Sequence, residues 1–255
     1  MCYNIKALTE AQIKYAKHIG AKPSDYAHLV KLLEDLGPEM YYNVSGFSHP
    51  KVLTITQEQP KKPELIQWGL IPEWTKDESF ANQIQNKTLN ARSETVFEKA
   101  SFKNIIQHHK CIVIVDGFFE HHHIGSNKYP FHVKRKDGEP MSLAGVYDTW
   151  QNPENEEEIK SFSIITTKGN ELMTKIHNNP KNEEARMPLI LEKKDHHKWL
   201  NSTEEKEIKS FFKINENELH AYTVPQINGK HSLGNTPKSL EEFPYFDIQM
   251  MGAFN

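Results

Sequence analysis

The stretch Cys111-Ile112-Val113-Ile114-Val115-Asp116-Gly117-Phe118-Phe119-Glu120 constrains the fold more than any other part of the chain. Its first five residues are apolar and β-favouring without interruption, which predicts a strand covered on both faces. Asp116-Gly117 then signals a turn or bulge, and two aromatics deliver a single carboxylate, Glu120. A Glu at the end of a buried strand among Phe rings is expected to be poorly solvated. That would raise its pKa and suit it to proton transfer near neutrality. The alternative is a Glu at the solvated mouth of a strand, and this stretch alone does not choose.

With 255 residues, 25% charged and 37% hydrophobic, the chain is long enough for a sizeable core and ordinary for a soluble protein. Apolar runs are far too short for a membrane helix, and the N-terminus lacks the layout of a signal peptide. Two cysteines argue against a disulfide framework and fit a reducing cytoplasm. A net charge of −3 excludes bulk attraction to nucleic acid, so such binding would need a local basic groove.

The chain opens Met1-Cys2-Tyr3-Asn4. Cys2 is small enough for the initiator Met to be removed, leaving an N-terminal cysteine. Its α-amine (pKa about 7.7–8.0) and thiol (about 8.5) would both be partly unprotonated near neutrality. A 1,2-aminothiol condenses with aldehydes through an imine to a thiazolidine ring. The alternative is a second-position Cys of no chemical consequence.

Thr9-Glu10-Ala11-Gln12 opens a helix closed by Gly20, and Ser24 caps a second one ended by Gly37-Pro38. Strands are expected at Val52–Thr56, from Leu65, at Tyr129–Lys134, Met141–Tyr147, Ile159–Thr167, Leu189–Leu191 and Leu219–Val224. Asp137-Gly138 between two of them is a strong hairpin signal. Helices are expected over Ser101–His109, from Asn170 through Ile176, and near Lys194–Leu200 and Thr203–Phe212. Residues 236–255 read as a loop-rich tail.

Three features invite a binding reading. Trp68 and Trp74 flank Gly69 and Pro72; most Trp residues pack in cores, yet a Trp at a loop mouth can stack bases. Asn90 and Arg92 fall on one side if their stretch is extended. The chain has three arginines, and two of them, Arg92 and Arg186, sit in polar motifs while lysine supplies the surface. That usage suggests bidentate recognition of phosphate or carboxylate. His121-His122-His123 alternate faces on a strand and cannot converge on one ion without a sharp bend, so no metal and no other cofactor is expected. His177, at a helix end, reads as a dipole partner or as a catalyst.

Met1-Cys2, Tyr42-Asn43-Val44, Trp68-Gly69-Leu70-Ile71-Pro72, Asn90-Ala91-Arg92-Ser93-Glu94-Thr95, Asp116-Gly117-Phe118-Phe119-Glu120, Ile176-His177 and Arg186-Met187-Pro188 occur in that order. Jointly they resemble the SRAP-domain family of abasic-site processing proteins. The resemblance implies a single α+β domain of curved, mostly antiparallel sheets with peripheral helices and a central groove for single-stranded DNA. It implies a monomer that needs no protein partner or membrane and crosslinks covalently to abasic sites. On this likeness Cys2 is the nucleophile, Asn90 positions the reacting groups, Glu120 shuttles protons and His177 acts on the sugar oxygen. Arg92, Trp68, Trp74, Asn43 and Arg186 would contact DNA, and removal of Met1 would be self-catalysed. The chain departs from the family's usual Cys-Gly-Arg opening at Tyr3-Asn4, and from its aromatic after the Glu at His121. Two other readings use the same residues: a cysteine peptidase or amidase built on Cys2 and His177, and a non-catalytic single-strand-binding module.

Overall fold

A computed structural model describes residues 2–7, 27, 31, 41–180, 183–213 and 218–251. The described strands are β1 (Asn4–Ala7), β2 (Tyr41–Ser45), β3 (Lys51–Thr56), β4 (Glu64–Trp68), β5 (Asn90–Arg92), β6 (Lys110–Val115) and β7 (Gly117–Ile124). They continue with β8 (Asn127–Arg135), β9 (Met141–Gln151), β10 (Glu158–Lys168), β11 (Arg186–Pro188), β12 (Ile190–Leu191) and β13 (Leu219–Thr223). Short helices are α1 (Glu78–Ile84), α2 (Glu171–Ile176), α3 (His196–Asn201), α4 (Glu205–Lys209) and α5 (Phe246–Met251). The two helices expected between Thr9 and Pro38 lie almost wholly outside the described residues.

The strands form two sheets. One is antiparallel throughout, in the order β13-β8-β7-β1-β2. The other has the order β11-β10-β4-β3-β6-β9-β12, with β5 added beside β10. Pairing of β9 with β10 closes this second sheet on itself, giving it a barrel-like form. The expected α+β class of curved, mostly antiparallel sheets with peripheral helices is therefore the observed one.

β6 shows why its apolar run is unbroken. All six of its residues are buried. Cys111, Val113 and Val115 face the core shared with the first sheet, among Ile5, Trp68, Phe118 and Phe131. Ile112 and Ile114 face the opposite layer, with Trp199 of α3, Ile106 and Phe102. Trp199 also donates its indole N–H to the Cys111 carbonyl at 3.0 Å, so burying that large ring leaves no donor unpaired.

Beyond β6 the chain changes sheets. The Asp116 N–H donates to the Lys6 carbonyl at 2.8 Å, and Gly117 begins β7 between β1 and β8. A Cβ at Gly117 would lie 2.4 Å from Nε2 of His132 and 2.7 Å from the Val133 carbonyl oxygen. Only glycine fits that crossing. Glu120 thus sits within a strand of the neighbouring sheet, not at the end of the buried run.

Other expectations also need correction. Asp137-Gly138 does not close a hairpin: it links β8 of one sheet to β9 of the other. Its turn is supported locally, by Arg135 and the Glu139 N–H donating to the Asp137 carboxylate, and needs no strand pairing across it. The hairpin is β7–β8, with Ile124 paired to Asn127 and Gly125 in the left-handed region (φ 58°). Residues 101–108 make successive helical turns, mixing i+3 and i+4 backbone bonds, without becoming a regular helix. The tail is more ordered than expected. α5 buries Ile248 in the main core, and Asp247 accepts a short hydrogen bond from Tyr129.

Candidate active site

β1 lies inside the first sheet, between the edge strand β2 and the central β7, with Asn4 opposite Phe119 and Ile5 opposite Phe118. Continuing that antiparallel register brings Tyr3 and Cys2 level with Glu120 and His121. The start of the chain is carried to the Phe-Phe-Glu segment by ordinary strand pairing. Cys2 is 1% exposed, and its Sγ lies 3.7 Å from the Asn4 carbonyl oxygen. Burial pushes the thiol well above its usual range, and the Glu120 charge adds to the effect. The thiol is therefore neutral at rest.

Glu120 is buried at 7% exposure. Its Oε2 accepts from Nδ1 of His177 at 2.7 Å, with Nδ1 as the protonated nitrogen, and its Oε1 accepts from the His121 N–H at 3.0 Å. Burial alone would raise its pKa, as expected from its apolar neighbours. The hydrogen bond from His177, the positive charge of the amino terminus and the His121 N–H together outweigh burial and hold it below the ordinary carboxylate range. The expectation of a raised pKa is corrected: Glu120 is an anion at neutral pH, suited to accept protons.

His177 caps the C-terminus of α2, whose first turn is fixed by the Asn170 side chain accepting from the Met173 N–H at 3.0 Å. The following residue locks that helix end to β7. Asn178 accepts from the His123 N–H at 2.7 Å and donates to the His123 carbonyl at 2.9 Å. His122 also turns towards this seam, its Nδ1 lying 2.9 Å from the Lys175 carbonyl. The polar loop after His177 therefore holds the imidazole against Glu120, a role its composition does not announce.

Asn90 reaches the same place from the other sheet. Its Nδ2 donates to the Cys2 carbonyl at 2.8 Å, while its buried Oδ1 has no hydrogen-bond partner among the described residues. Arg92, two residues on and exposed, shares that side of β5, while Ala91 enters the core between them. Together with Lys87, Lys99, Phe80 and Phe102, Arg92 lines a cleft of about 430 Å³ leading away from Asn90. Trp74 is exposed and packs against Phe80 on this border, with ring centroids 6.1 Å apart.

Three residues expected to touch DNA do other work. Trp68 is 0% exposed, stacked on Phe162 and hydrogen-bonded to the Leu89 carbonyl at 2.8 Å, so no base can reach its ring. Asn43 spends its amide internally, accepting from Asn4 at 2.8 Å and donating to the Ile227 carbonyl at 3.0 Å. Arg186, 2% exposed, makes a bidentate pair with Glu94 (3.1 and 2.9 Å) and a further bond to Glu184 at 3.0 Å. Its fork does recognise carboxylates in the bidentate manner expected of Arg, but they are the protein's own.

A second cleft, of about 450 Å³, opens over the Glu120–His177 pair. Tyr3, Phe47, His121, His123, Lys128, Asn179 and Asn228 line it. Sequence reading noted Tyr3 and His121 only as departures from the family's pattern, and the two histidines as part of a metal cluster to reject. Phe47, Lys128, Asn179 and Asn228 it missed, because they come from separate segments and carry no motif.

Comparison with known proteins accords with this geometry. Residues 1–230 match the family described as SOS response associated peptidase (SRAP). "Abasic site processing protein YoqW" of Bacillus subtilis is 36% identical over 203 residues, covering 78% of this chain and 82% of the relative. "Abasic site processing protein HMCES" of Gallus gallus is 30% identical over 159 residues, 54% of this chain and 45% of the relative. A crystal structure of a protein from Bacteroides thetaiotaomicron superimposes with a TM-score of 0.80 at 32% identity, covering 95% of this chain and 100% of that one. The chain belongs to the SRAP family.

Proposed function

We propose that this chain senses abasic sites in single-stranded DNA and captures them covalently through Cys2, once Met1 has been removed. The observation that carries this reading is the convergence on Cys2 of Asn90, held to its carbonyl, and of the buried Glu120–His177 pair. An abasic sugar is a closed hemiacetal in equilibrium with an open aldehyde. Opening needs a proton at the ring oxygen and removal of one from the anomeric hydroxyl. His177 in its doubly protonated form can give the first from Nε2 while Nδ1–H stays on Glu120, and anionic Glu120 can take the second and return it to the hydroxyl that later leaves as water.

The freed α-amine of Cys2 then adds to the aldehyde carbon, and loss of water gives an imine. The thiol sulfur adds to the imine carbon, its proton passes to the nitrogen, and a thiazolidine closes. One water leaves in all. This order suits a thiol kept neutral by burial, since the amine acts first. Arg92, Lys87 and Lys99 would hold the strand's phosphates along the adjoining cleft.

The test is a single strand bearing one abasic site, incubated with the protein and run on a denaturing gel. The parent should form a heat-stable adduct. Cys2→Ala, which keeps an amine but has no thiol, should bind the strand and yield no heat-stable adduct. Undiminished adduct from Cys2→Ala would overturn the thiazolidine.

A further inference from the structure

Phe47 is a large apolar side chain left 53% exposed. It is nevertheless rigidly placed, in a 3-10 turn (Gly46–Ser48) whose Phe47 N–H is accepted by the Ser45 hydroxyl at 3.3 Å. The turn is tied to the start of the chain by the Gly46 N–H donating to the Tyr3 carbonyl at 2.7 Å. From beneath, a Cβ at Gly46 would sit 3.0 Å from the Trp68 ring, so the turn rests directly on that indole. The Phe47 ring stacks on Tyr3, with centroids 5.3 Å apart and planes at 29°.

This two-ring shelf forms one wall of the cleft that holds Glu120 and His177. Another part of the lining is polar: the exposed Lys128 of β8, Asn179 and Asn228. A flat apolar shelf, a reactive acid–base pair and a cation around one space match the three parts of a nucleotide: base, sugar and phosphate. An aromatic kept in water on a braced turn gains most from a ligand with a planar face.

We propose that Tyr3 and Phe47 form a stacking shelf for the nucleobase next to the abasic site, making Phe47 a specificity-determining residue. The proposal rests on the reading of the chain as an abasic-site sensor and adds to it a preference set by the neighbouring base. A purine covers more of the shelf than a pyrimidine and should be favoured.

The experiment uses equilibrium binding, by fluorescence anisotropy, of strands carrying a central tetrahydrofuran. This analogue of the abasic sugar cannot open to an aldehyde, so the measurement does not depend on crosslinking. The neighbouring nucleotide, on each side in turn, is adenine, cytosine or a second tetrahydrofuran. On one side, replacing adenine by tetrahydrofuran should weaken binding to the parent about 5- to 150-fold, the range of one base–aromatic stack. Phe47→Ala should lose a similar factor with adenine present and almost nothing with the base absent, while Phe47→Tyr should restore the parent pattern. Equal losses on both strands, or no loss on either, would overturn the shelf. Adduct formation on a reactive strand is scored separately. A parent that binds with this base dependence but forms no adduct would defeat the crosslinking reading and leave the shelf standing.

Discussion

In the proposed mechanism Glu120 and His177 share one proton path, so their loss should be felt in rate before stability. Glu120→Gln keeps the shape and one acceptor oxygen but removes the basic form. Single-turnover capture should slow about 100-fold, the lower end of general acid–base contributions. His177→Ala should slow capture of the closed sugar more than that of a simple open aldehyde. The double variant should be less impaired than the product of the two factors. Normal rates with lowered Tm would make the pair structural. The pH dependence of stability follows from the same contact. Glu120 has a folded pKa depressed below its unfolded value, so its contribution is present above the unfolded value (about 4.3). It is lost as pH falls through the folded value. The gap between acid unfolding curves of the parent and Glu120→Gln should therefore begin to close as the pH falls past about 4.3 and vanish below the folded value; a constant gap between them would contradict the assignment. Cys2, Asn90, Glu120 and His177 could be picked out of the sequence only through the joint order of several short motifs, none of them decisive by itself. The sign of the Glu120 shift was not legible. Apolar neighbours in sequence announce burial, whereas the histidine that outweighs it lies 57 residues away.

Among the elements, β6 and β7 decide the site. An unbroken apolar run announces a strand covered twice, and β6 is one. The crossover at Gly117 was read only as a turn, since the clash that demands glycine is with His132 of β8. Gly117→Ala should cost about 1–3 kcal/mol by overpacking and displace Glu120. Its Tm should fall by several degrees and its capture rate with it; a variant with parental Tm and rate would show that the crossing has room. The same logic explains the misread arginine and tryptophan. Arg186 and Trp68 carry chemistry that suits nucleic acid, and only the fold reveals that β10, β11 and Phe162 enclose them. Glu94→Ala strips one carboxylate from buried Arg186 while Glu184 remains. A loss of about 1–3 kcal/mol is expected, seen as a lower Tm with unchanged single-strand affinity. Weakened DNA binding at parental Tm would return Arg186 to the interface.

For the molecule as a whole, the formal charge of −3 means that the proposed strand binding would rest on a few cations, Arg92, Lys87 and Lys99 among them. The salt dependence should be shallow, corresponding to roughly two to four phosphates. Arg92→Ala should weaken binding to intact single strands and flatten that slope by about one contact. Equal affinity for parent and Arg92→Ala would misplace the groove. Two sheets bring the start of the chain, a mid-chain carboxylate and a helix-end histidine to one point, and that convergence is the central claim. Its most direct test is the intact mass of the product formed with a strand carrying one abasic site, heated without reductant before measurement. The expected mass is that of the chain lacking Met1 plus the strand, less one water. An adduct that retains Met1, one that dissociates on heating, or no adduct at all would contradict it.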